Sequence, residues 1–312
     1  MSIVQEQKAL RIILSAVHFP VASARFLYWA LRRMGHEVVT VGPAVGTWLP
    51  WAQHRNLEAY EWKPDIAVSF VRYQALSYDI KDTLDRAPFT PDLIIQMDAQ
   101  FLLAGKPPCP NVLWAIDNHV APYGAYDSFD RIYIAHSWGR MSDLPQARFL
   151  PCAHDPEHHH IMNGIPRHFD VGICGAGYDS RQELAERLKA DGFNIRGATG
   201  LVYGEYNTFY NQCKIALVRS TAGDLAMRVF ENMAQGCLVV SDRAKDMARV
   251  GLVEGVHYLG YDTQDECSAQ VRYALGHWQD MERIVNTARE WVKAHTWEAR
   301  AKVILDECTA SA

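Results

Sequence analysis

The fold of this chain is decided by one stretch, Arg228-Val-Phe-Glu-Asn-Met-Ala-Gln-Gly-Cys-Leu-Val-Val-Ser-Asp242. Its first part has the apolar spacing of a short helix, on which Arg228 and Glu231 lie one turn apart. Gly236 is placed to end that helix, because glycine readily adopts the left-handed conformation that follows a last helical turn. The apolar run at 237–241 then predicts a buried strand. A helix that passes through glycine into a buried strand indicates an α/β fold.

The same alternation fills the rest of the second half. Apolar periodicity predicts the following elements there: strands at 169–174, 214–218 and 237–241, and helices at 180–190 and 225–235. From 263 to 309 the pattern is almost wholly helical, with breaks near Gly276 and His295. Between Pro151 and Pro166 the chain loses its periodicity and is rich in turn formers, which predicts a linker between two domains.

The first half opens as a βαβ unit. Strands are predicted at 10–17 and 37–41, and between them a helix at 23–34 that Ser23 caps and Gly35 ends. Further buried strands are predicted at 65–70, 92–97, 111–116 and 130–135. Apolar runs spaced in this way predict a parallel sheet covered by helices.

Length and composition are those of a globular protein with two domains. The chain has 312 residues, of which 49% are apolar and 21% are charged, and a single core rarely keeps growing to this length. The formal net charge is −5 and neither half is basic. This balance disfavours a nucleic-acid partner bound along its phosphates.

The seven cysteines are odd in number and follow no CxxC spacing. This usage predicts reduced core thiols and a cytoplasmic location. The first residues lack the basic and apolar regions of a targeting signal, and no window reaches the roughly 18 to 20 apolar residues of a membrane span.

Taken in order, several pieces of the second half resemble the donor-binding domain of GT-B glycosyltransferases, in particular the branch of spore-maturation CgeB proteins and the glycosyl transferases group 1 family. The ordered pieces are Asp170-Val-Gly-Ile-Cys-Gly-Ala-Gly177 with Arg181, Gly204-Glu-Tyr206, Lys214-Ile-Ala-Leu217, Gly223-Asp224, the Arg228 stretch, Glu254-Gly255 and His295-Thr-Trp-x-x-Arg300. The resemblance implies two Rossmann-like domains with a nucleotide-sugar cleft between them and C-terminal helices that cross back. We expect an acceptor domain at 1–155, a donor domain at 166–295 and a helix at 296–312 that packs on the first domain.

The resemblance also implies the residues that bind the donor. Gly175 and Gly177 lie on a strand-to-helix turn whose N–H groups would approach a diphosphate, and Arg181 and Arg228 would stabilise the leaving group. Glu231 would accept hydrogen bonds from the ribose hydroxyls, although an ion pair with Arg228 on an exposed helix face is the alternative. The family order adds Gly223 and Asp224. The expected donor is a UDP-sugar, with no cofactor and no metal.

Candidates for a catalytic base lie where the strands of the first half end, because sites in parallel sheets form beyond the carboxyl edge. They are His18, Asp98, Asp117 and His119. The segment 114–117 is similar to the aromatic-x-x-Asp segment that faces the cleft in the family. An aspartate after a strand also serves simply as a turn cap. The sequence does not decide between an inverting enzyme, which needs such a base, and a retaining one.

Several alternatives stay open. The acceptor is a hydroxyl of a glycan, a metabolite, a protein or, as in phage enzymes, a modified DNA base. The fold could also serve as a nucleotide or glycan sensor without turnover, since fold does not fix activity. A Rossmann oxidoreductase is disfavoured because Ser180 stands where the third glycine of its fingerprint belongs.

The histidine-rich segment at 154–160 contains residues that could bind a transition metal. Adjacent histidines do not easily face one ion, and the segment lies in the predicted linker. A solvated interdomain loop is therefore the favoured interpretation.

Overall fold

The computed structural model describes residues 8–46, 55–69, 76–97, 101–121, 123 and 126–309. Within these ranges each half of the chain builds its own parallel sheet. Helices accompany both sheets, which confirms the predicted α/β class with two Rossmann-like halves.

The first half has a seven-stranded parallel sheet. Its elements are β1 (Arg11–Ser15), α1 (Ser23–Arg33), β2 (Glu37–Gly42), β3 (Ile66–Ala67), β4 (Leu76–Asp79), α2 (Ile80–Arg86), β5 (Leu93–Gln96), β6 (Phe101–Ala104), β7 (Asn111–Ala115), β8 (Arg131–Ile134) and β9 (Ala147–Phe149). The strand order is β3-β2-β1-β5-β7-β8-β9, and β4 pairs separately with β6. Because all neighbours are parallel, the carboxyl ends of β1, β5, β7 and β8 share one edge.

The second half has a five-stranded parallel sheet in the order β11-β10-β12-β13-β14. Its elements are β10 (Phe169–Cys174), α3 (Asp179–Ala190), β11 (Ile195–Ala198), α4 (Tyr203–Asn211), β12 (Cys213–Val218), α5 (Met227–Ala234), β13 (Leu238–Asp242), β14 (Leu259–Tyr261), α6 (Gln264–Gly276), α7 (Trp278–Val292) and α8 (Trp297–Thr309). In the described part of the chain, no helix combines the length and apolarity needed to cross a bilayer.

Most predicted elements are present with bounds shifted by a residue or two. β10 has the predicted bounds, and the final helices break at the two predicted places. The predicted strand at 65–70 is β3, and its last predicted residue lies outside the described ranges. The serine cap predicted for α1 is wrong: Ala22 holds the N-cap position and no side chain caps the helix.

The last helix crosses back onto the first half, as predicted. Trp297 and Ile304 on α8 are fully buried in the same apolar cluster as Leu27 of α1 and Trp114 of β7. The rings of Trp114 and Trp297 lie 5.3 Å apart. The core of the first sheet is therefore completed by the end of the chain.

The segment between the two sheets is buried at its start and at His159, whereas Glu157 and His160 are exposed, so the prediction of a solvated loop is wrong for the buried residues. His154 and His159 are each 4% exposed and Asp155 is fully buried. The Asp155 carboxylate pairs with Arg33 at 2.6 Å, and Arg33 also bonds Glu298 at 2.7 Å. A buried carboxylate between α1 and α8 requires this pairing, because an unpaired charge in the interior is costly. Within the described ranges, no three His, Cys, Asp or Glu side chains are placed to hold one metal ion.

We expect Asp155→Asn to lower the free energy of unfolding at pH 7 by about 2–3 kcal/mol. Burial raises the pKa of Asp155, but hydrogen bonds from His158 and Arg33 outweigh it and bring the pKa to about 2. A depressed carboxyl pKa stabilises the fold above the unfolded-state pKa of about 4 and loses that contribution as the pH falls towards 2. Urea titrations of both proteins should thus show a difference that is roughly halved near pH 3. A difference that does not depend on pH would contradict this account.

Candidate functional site

The turn between β10 and α3 carries two arginines that converge on Gly175. A Cβ atom added to Gly175 would lie 3.1 Å from Nη1 of Arg181 and 3.1 Å from Nη1 of Arg228. Gly175 has a φ of +146°, a conformation that side chains rarely adopt. Gly177, two residues on, is exposed, and both glycines line a cavity of about 420 Å³ between α3 and the end of β11. The turn and Arg181 thus line this cavity, and Arg228 approaches the turn at Gly175.

The two guanidinium groups are held together by a single carbonyl oxygen. Arg181 donates to the Arg219 oxygen from Nε at 3.1 Å and from Nη2 at 3.0 Å, and Arg228 donates to it at 3.4 Å. Burial, with Arg228 nearby, lowers the pKa of Arg181 to about 10, so it remains charged at neutral pH. No carboxylate among the described residues lies within 4 Å of either group. Two cations without a counter-ion make a ready site for an anion.

Glu231 is buried on α5, one turn from Arg228. Its side chain is 4% exposed, and the Tyr206 hydroxyl donates to its Oε2 at 2.8 Å. Burial raises the pKa of Glu231 to about 7, against the hydrogen bond from Tyr206 and the charge of Arg228. The alternative of an ion pair on an exposed face is therefore wrong. A buried carboxylate one turn from Arg228 has the chemistry to accept hydroxyl groups of a ligand.

Gly223 and Asp224 belong to the loop between β12 and α5. The Asp224 Oδ1 accepts from the N–H groups of Thr221 at 3.1 Å and Ala222 at 3.2 Å, and Gly223 has a φ of +79°. Burial opposes the ionisation of Asp224, but the Ala222 N–H and the imidazoles of His119 and His136 lower its pKa. Asp224 thus shapes its own loop and faces the first half across the cleft.

Asp117 and His119 follow β7 and lie on the facing side. Asp117 is exposed as a residue, but burial around its carboxylate raises its pKa, with smaller effects from His119, which lowers it, and Asp224, which raises it. Trp114 is buried in the core instead of facing the cleft, and its Nε1 donates to the Leu150 oxygen at 3.0 Å. Only the aspartate of the aromatic-x-x-Asp segment therefore reaches the site.

The imidazole of His136, after β8, lies beside His119, with ring centroids 4.1 Å apart. Burial, followed by the neighbouring His119, lowers the pKa of His136 to about 4, so it is neutral. The buried thiol of Cys152 lies near residues of both halves. Its pKa is raised by burial and, to a smaller extent, by the carboxylates of Asp117, Asp224 and Glu231. Candidate residues of both halves are therefore brought into one region.

Two predicted candidates are not joined to this group. The His18 side chain is fully buried, with its ring 4.0 Å from that of Trp62, and burial lowers its pKa to about 4. An imidazole enclosed in this way presents no surface to an acceptor. Asp98 lies outside the described residues.

The sequence argument does not single out three residues of this region: Tyr206, His136 and His159. His136 follows a parallel strand, so the rule that selects Asp117 would also have selected it. Tyr206 belongs to one of the ordered motif pieces, but nothing in the pattern indicates that it contacts Glu231. His159 lies in the segment interpreted as a solvated loop.

The chain matches one protein family in sequence and several solved structures in fold. Residues 157–306 match the family of glycosyl transferase-like proteins. No curated protein matches the chain in sequence. The sucrose-phosphate synthase of Thermosynechococcus elongatus has a similar structure, with a TM-score of 0.62 and 13% identity over 97% of this chain and 100% of that one.

Two further structures cover 97% of this chain. One is a glycosyltransferase from Rickettsia africae, with a TM-score of 0.65 and 8% identity over 99% of its length. The other is an α-glucosyltransferase solved with UDP and a 13-mer DNA containing a HMU base, with a TM-score of 0.66 and 11% identity over 100% of its length. At these identities the similarity is one of fold.

Proposed function

We propose that this chain, whose residues 157–306 match the glycosyl transferase-like family and whose fold is that of GT-B glycosyltransferases, transfers a sugar from a nucleoside-diphosphate sugar to a hydroxyl acceptor. The observation that carries the proposal is the convergence of Arg181 and Arg228 on Gly175 without a carboxylate partner among the described residues. Such a pair matches the charge of a diphosphate.

The donor half would act on the leaving group. As the bond between the sugar C1 and the diphosphate oxygen breaks, the electron pair and a growing negative charge pass to the diphosphate. Arg181 and Arg228 stabilise that charge in place, and the N–H groups of the Gly175-to-Gly177 turn support it. These cations supply the charge that a metal ion provides elsewhere, so we propose a metal-independent reaction. Glu231 accepts the ribose hydroxyls.

UDP is the nucleotide that we propose. Structures with this fold have been solved with UDP, namely the α-glucosyltransferase and the Anabaena protein HepE. The latter covers 96% of this chain, with a TM-score of 0.59 and 12% identity.

The first half would act on the acceptor. We assign Asp117 as the general base: it takes the proton of the acceptor hydroxyl while the acceptor oxygen forms its bond to C1. Its raised pKa suits this role, because a base works best when its pKa approaches the working pH. His119 lies beside it and helps to orient the acceptor.

UDP should raise the melting temperature of the protein, and uridine, which lacks the diphosphate, should do so far less. At a UDP concentration 100 times Kd the free energy of unfolding rises by about 2.7 kcal/mol. Glu231→Ala should weaken the shift, and EDTA should leave it unchanged. Scanning fluorimetry measures these melting temperatures for wild-type protein and Glu231→Ala with UDP, GDP, ADP and uridine, with and without EDTA. No shift with any nucleotide would overturn the proposal, and a shift abolished by EDTA would overturn metal independence.

A DNA acceptor receives little support from the arginines near the first helix. Arg25 is enclosed by aromatic rings, with its Cζ 5.0 Å from the Trp29 centroid and 5.5 Å from that of Tyr203. Arg33 is neutralised by Asp155, Glu157 and Glu298. Neither is free to bind phosphates, and Arg32 is left as the exposed arginine of this helix. One exposed cation does not make a phosphate-binding face, so we favour a small or glycan acceptor. A salt-sensitive gel shift with duplex DNA would reverse this preference.

We place the protein in the cytoplasm. All seven cysteines fall within the described residues, and all seven are free thiols, six of them buried. Thiols of this kind are typical of reducing compartments.

A further inference from the structure

The histidine-rich segment between the two sheets has no part in the transfer reaction as described so far. One of its members, His159, is 4% exposed and lies against Glu231, with Nε2 of the imidazole 3.5 Å from Oε1 of the carboxylate. The segment is fixed on its other side by the Arg33 pairing of Asp155. A residue of the connection between the halves thus contacts the carboxylate that we assign to the ribose.

The tautomer of His159 follows from its second contact. The Asp155 N–H donates to Nδ1 of His159 at 3.0 Å, so Nδ1 is the unprotonated nitrogen. Burial lowers the pKa of His159 to about 3, so the ring is neutral and carries its one proton on Nε2. That nitrogen is the one that lies near the Glu231 carboxylate. At 3.5 Å the contact is long, and its contribution is mainly electrostatic.

Tyr206 holds the other oxygen of the same carboxylate. Its hydroxyl donates to Oε2 of Glu231 at 2.8 Å, a charge-assisted hydrogen bond of ordinary length. Tyr206 lies on α4. The residue before it, Glu205, forms a 2.6 Å ion pair with Arg55 of the first half. One hydrogen bond from α4 and one close imidazole from the linker therefore confine the two oxygens of this carboxylate. Its remaining lone pairs stay available to a ligand.

We propose that Tyr206 and His159 are positioning residues that set the recognition of the ribose hydroxyls by orienting Glu231. The proposal rests on the proposed function, which assigns the ribose to Glu231. Tyr206 makes the shorter contact with Glu231, so we expect it to contribute more than His159 to the orientation of the carboxylate.

Protonation of Glu231 gives this arrangement a measurable signature. The charged and titratable groups that face Glu231 are Tyr206 of α4, Arg228 of α5, His159 of the linker, Cys174 of β10 and Cys152. The carboxylate accepts two hydroxyl protons, whereas the protonated acid has less capacity to accept. Discrimination in favour of ribose hydroxyls is therefore full above the pKa of Glu231 and declines as the pH falls through about 7. Loss of the Tyr206 hydrogen bond raises that pKa and moves the transition to higher pH.

The test compares the Kd values of UDP and 2′,3′-dideoxy-UDP by calorimetry between pH 6 and 9. Both ligands carry the same diphosphate, so titration of the phosphate cancels in the ratio of the two Kd values. We expect the wild-type protein to favour UDP by at least about tenfold at pH 8, and Tyr206→Phe to reduce the ratio at pH 7 by about threefold with its midpoint at higher pH. His159→Leu should reduce the ratio less, and His159→Gln, which keeps a donor, should restore it.

Tyr210→Phe is the matched control. Tyr210 lies on the same helix and its hydroxyl accepts from the Cys174 N–H at 3.1 Å, so the substitution removes a buried hydrogen bond without touching Glu231. The ratio of the two Kd values should be the same for Tyr210→Phe as for the wild-type protein. If wild-type protein binds UDP and both Tyr206→Phe and His159→Leu keep its ratio at every pH, the inference is overturned while the proposed function stands. If wild-type protein binds no nucleotide, the proposed function itself fails. Should Tyr206→Phe not fold, the two His159 variants decide the matter alone.

Discussion

Arg228→Ala is expected to lower kcat/KM for the nucleotide sugar by about 10²–10³-fold while the protein remains folded. Arg228 is partly exposed and makes one long hydrogen bond of 3.4 Å to the Arg219 oxygen, so its removal costs little structure. Arg181, by contrast, is 7% exposed and makes three bonds to backbone oxygens. Arg228 is therefore the better probe of the leaving group.

The measurement is the release of UDP from UDP-glucose and other UDP-sugars, with and without acceptors. Release without acceptor would also distinguish an enzyme from a sensor. Arg228→Lys should recover part of the loss, because lysine keeps the charge but not the paired donors. Arg289 is a partly exposed arginine of α7 that bonds only Asn286 among the described residues, and Arg289→Ala is the matched control, which should have no effect. Equal activity of Arg228→Ala and wild type would remove this arginine from the mechanism.

Asp117→Asn is expected to reduce kcat by about 10²–10⁴-fold and to leave the Kd of UDP unchanged. Asparagine preserves shape and hydrogen bonding but does not accept the acceptor proton. In the wild-type protein, partial burial raises the pKa of Asp117, so the acid limb of the rate profile should lie above the usual carboxyl range. The rate should fall as the pH drops through that pKa, because only the ionised base takes a proton.

Asp143→Asn is the control, since Asp143 is an exposed aspartate in the loop after the next strand. Its kcat and pH profile should match those of wild type. If Asp117→Asn retains full kcat, the base assignment is wrong, and a retaining reaction without such a base gains support. The anomeric configuration of the product, read by NMR, then decides between the two outcomes.

The sequence predicts the second half of this protein better than the first. Apolar strands such as β10 and amphipathic helices such as α7 carry strong periodic signals, and their bounds agree with the structure. α4 is not predicted, because Tyr203-Gly-Glu-Tyr-Asn-Thr-Phe-Tyr-Asn211 has glycine, asparagine and no regular apolar stripe. Its conformation depends on tertiary packing, which a local pattern does not record.

The same limit applies to the site. The order of short motifs leads to Arg181, Arg228 and Glu231, which the fold gathers around one turn. His159 escapes notice because its surroundings are polar in sequence yet buried in the fold, through Arg33, which is distant along the chain. His18 shows the opposite error, since it follows a strand as a site residue would but is enclosed by the core.

The return of α8 to the first sheet has a consequence for how the protein is made. The first half leaves the ribosome with the apolar face of α1 uncovered, because Trp297 and Ile304, which cover it, are synthesised long after α1. Contacts between residues so far apart in sequence form late, and apolar surface that waits for them is prone to associate with other chains. The second half has no such dependence for its sheet. The first sheet is therefore expected to be complete only after α8 has emerged, whereas the second sheet, which carries the Gly175-to-Gly177 turn, forms without α8.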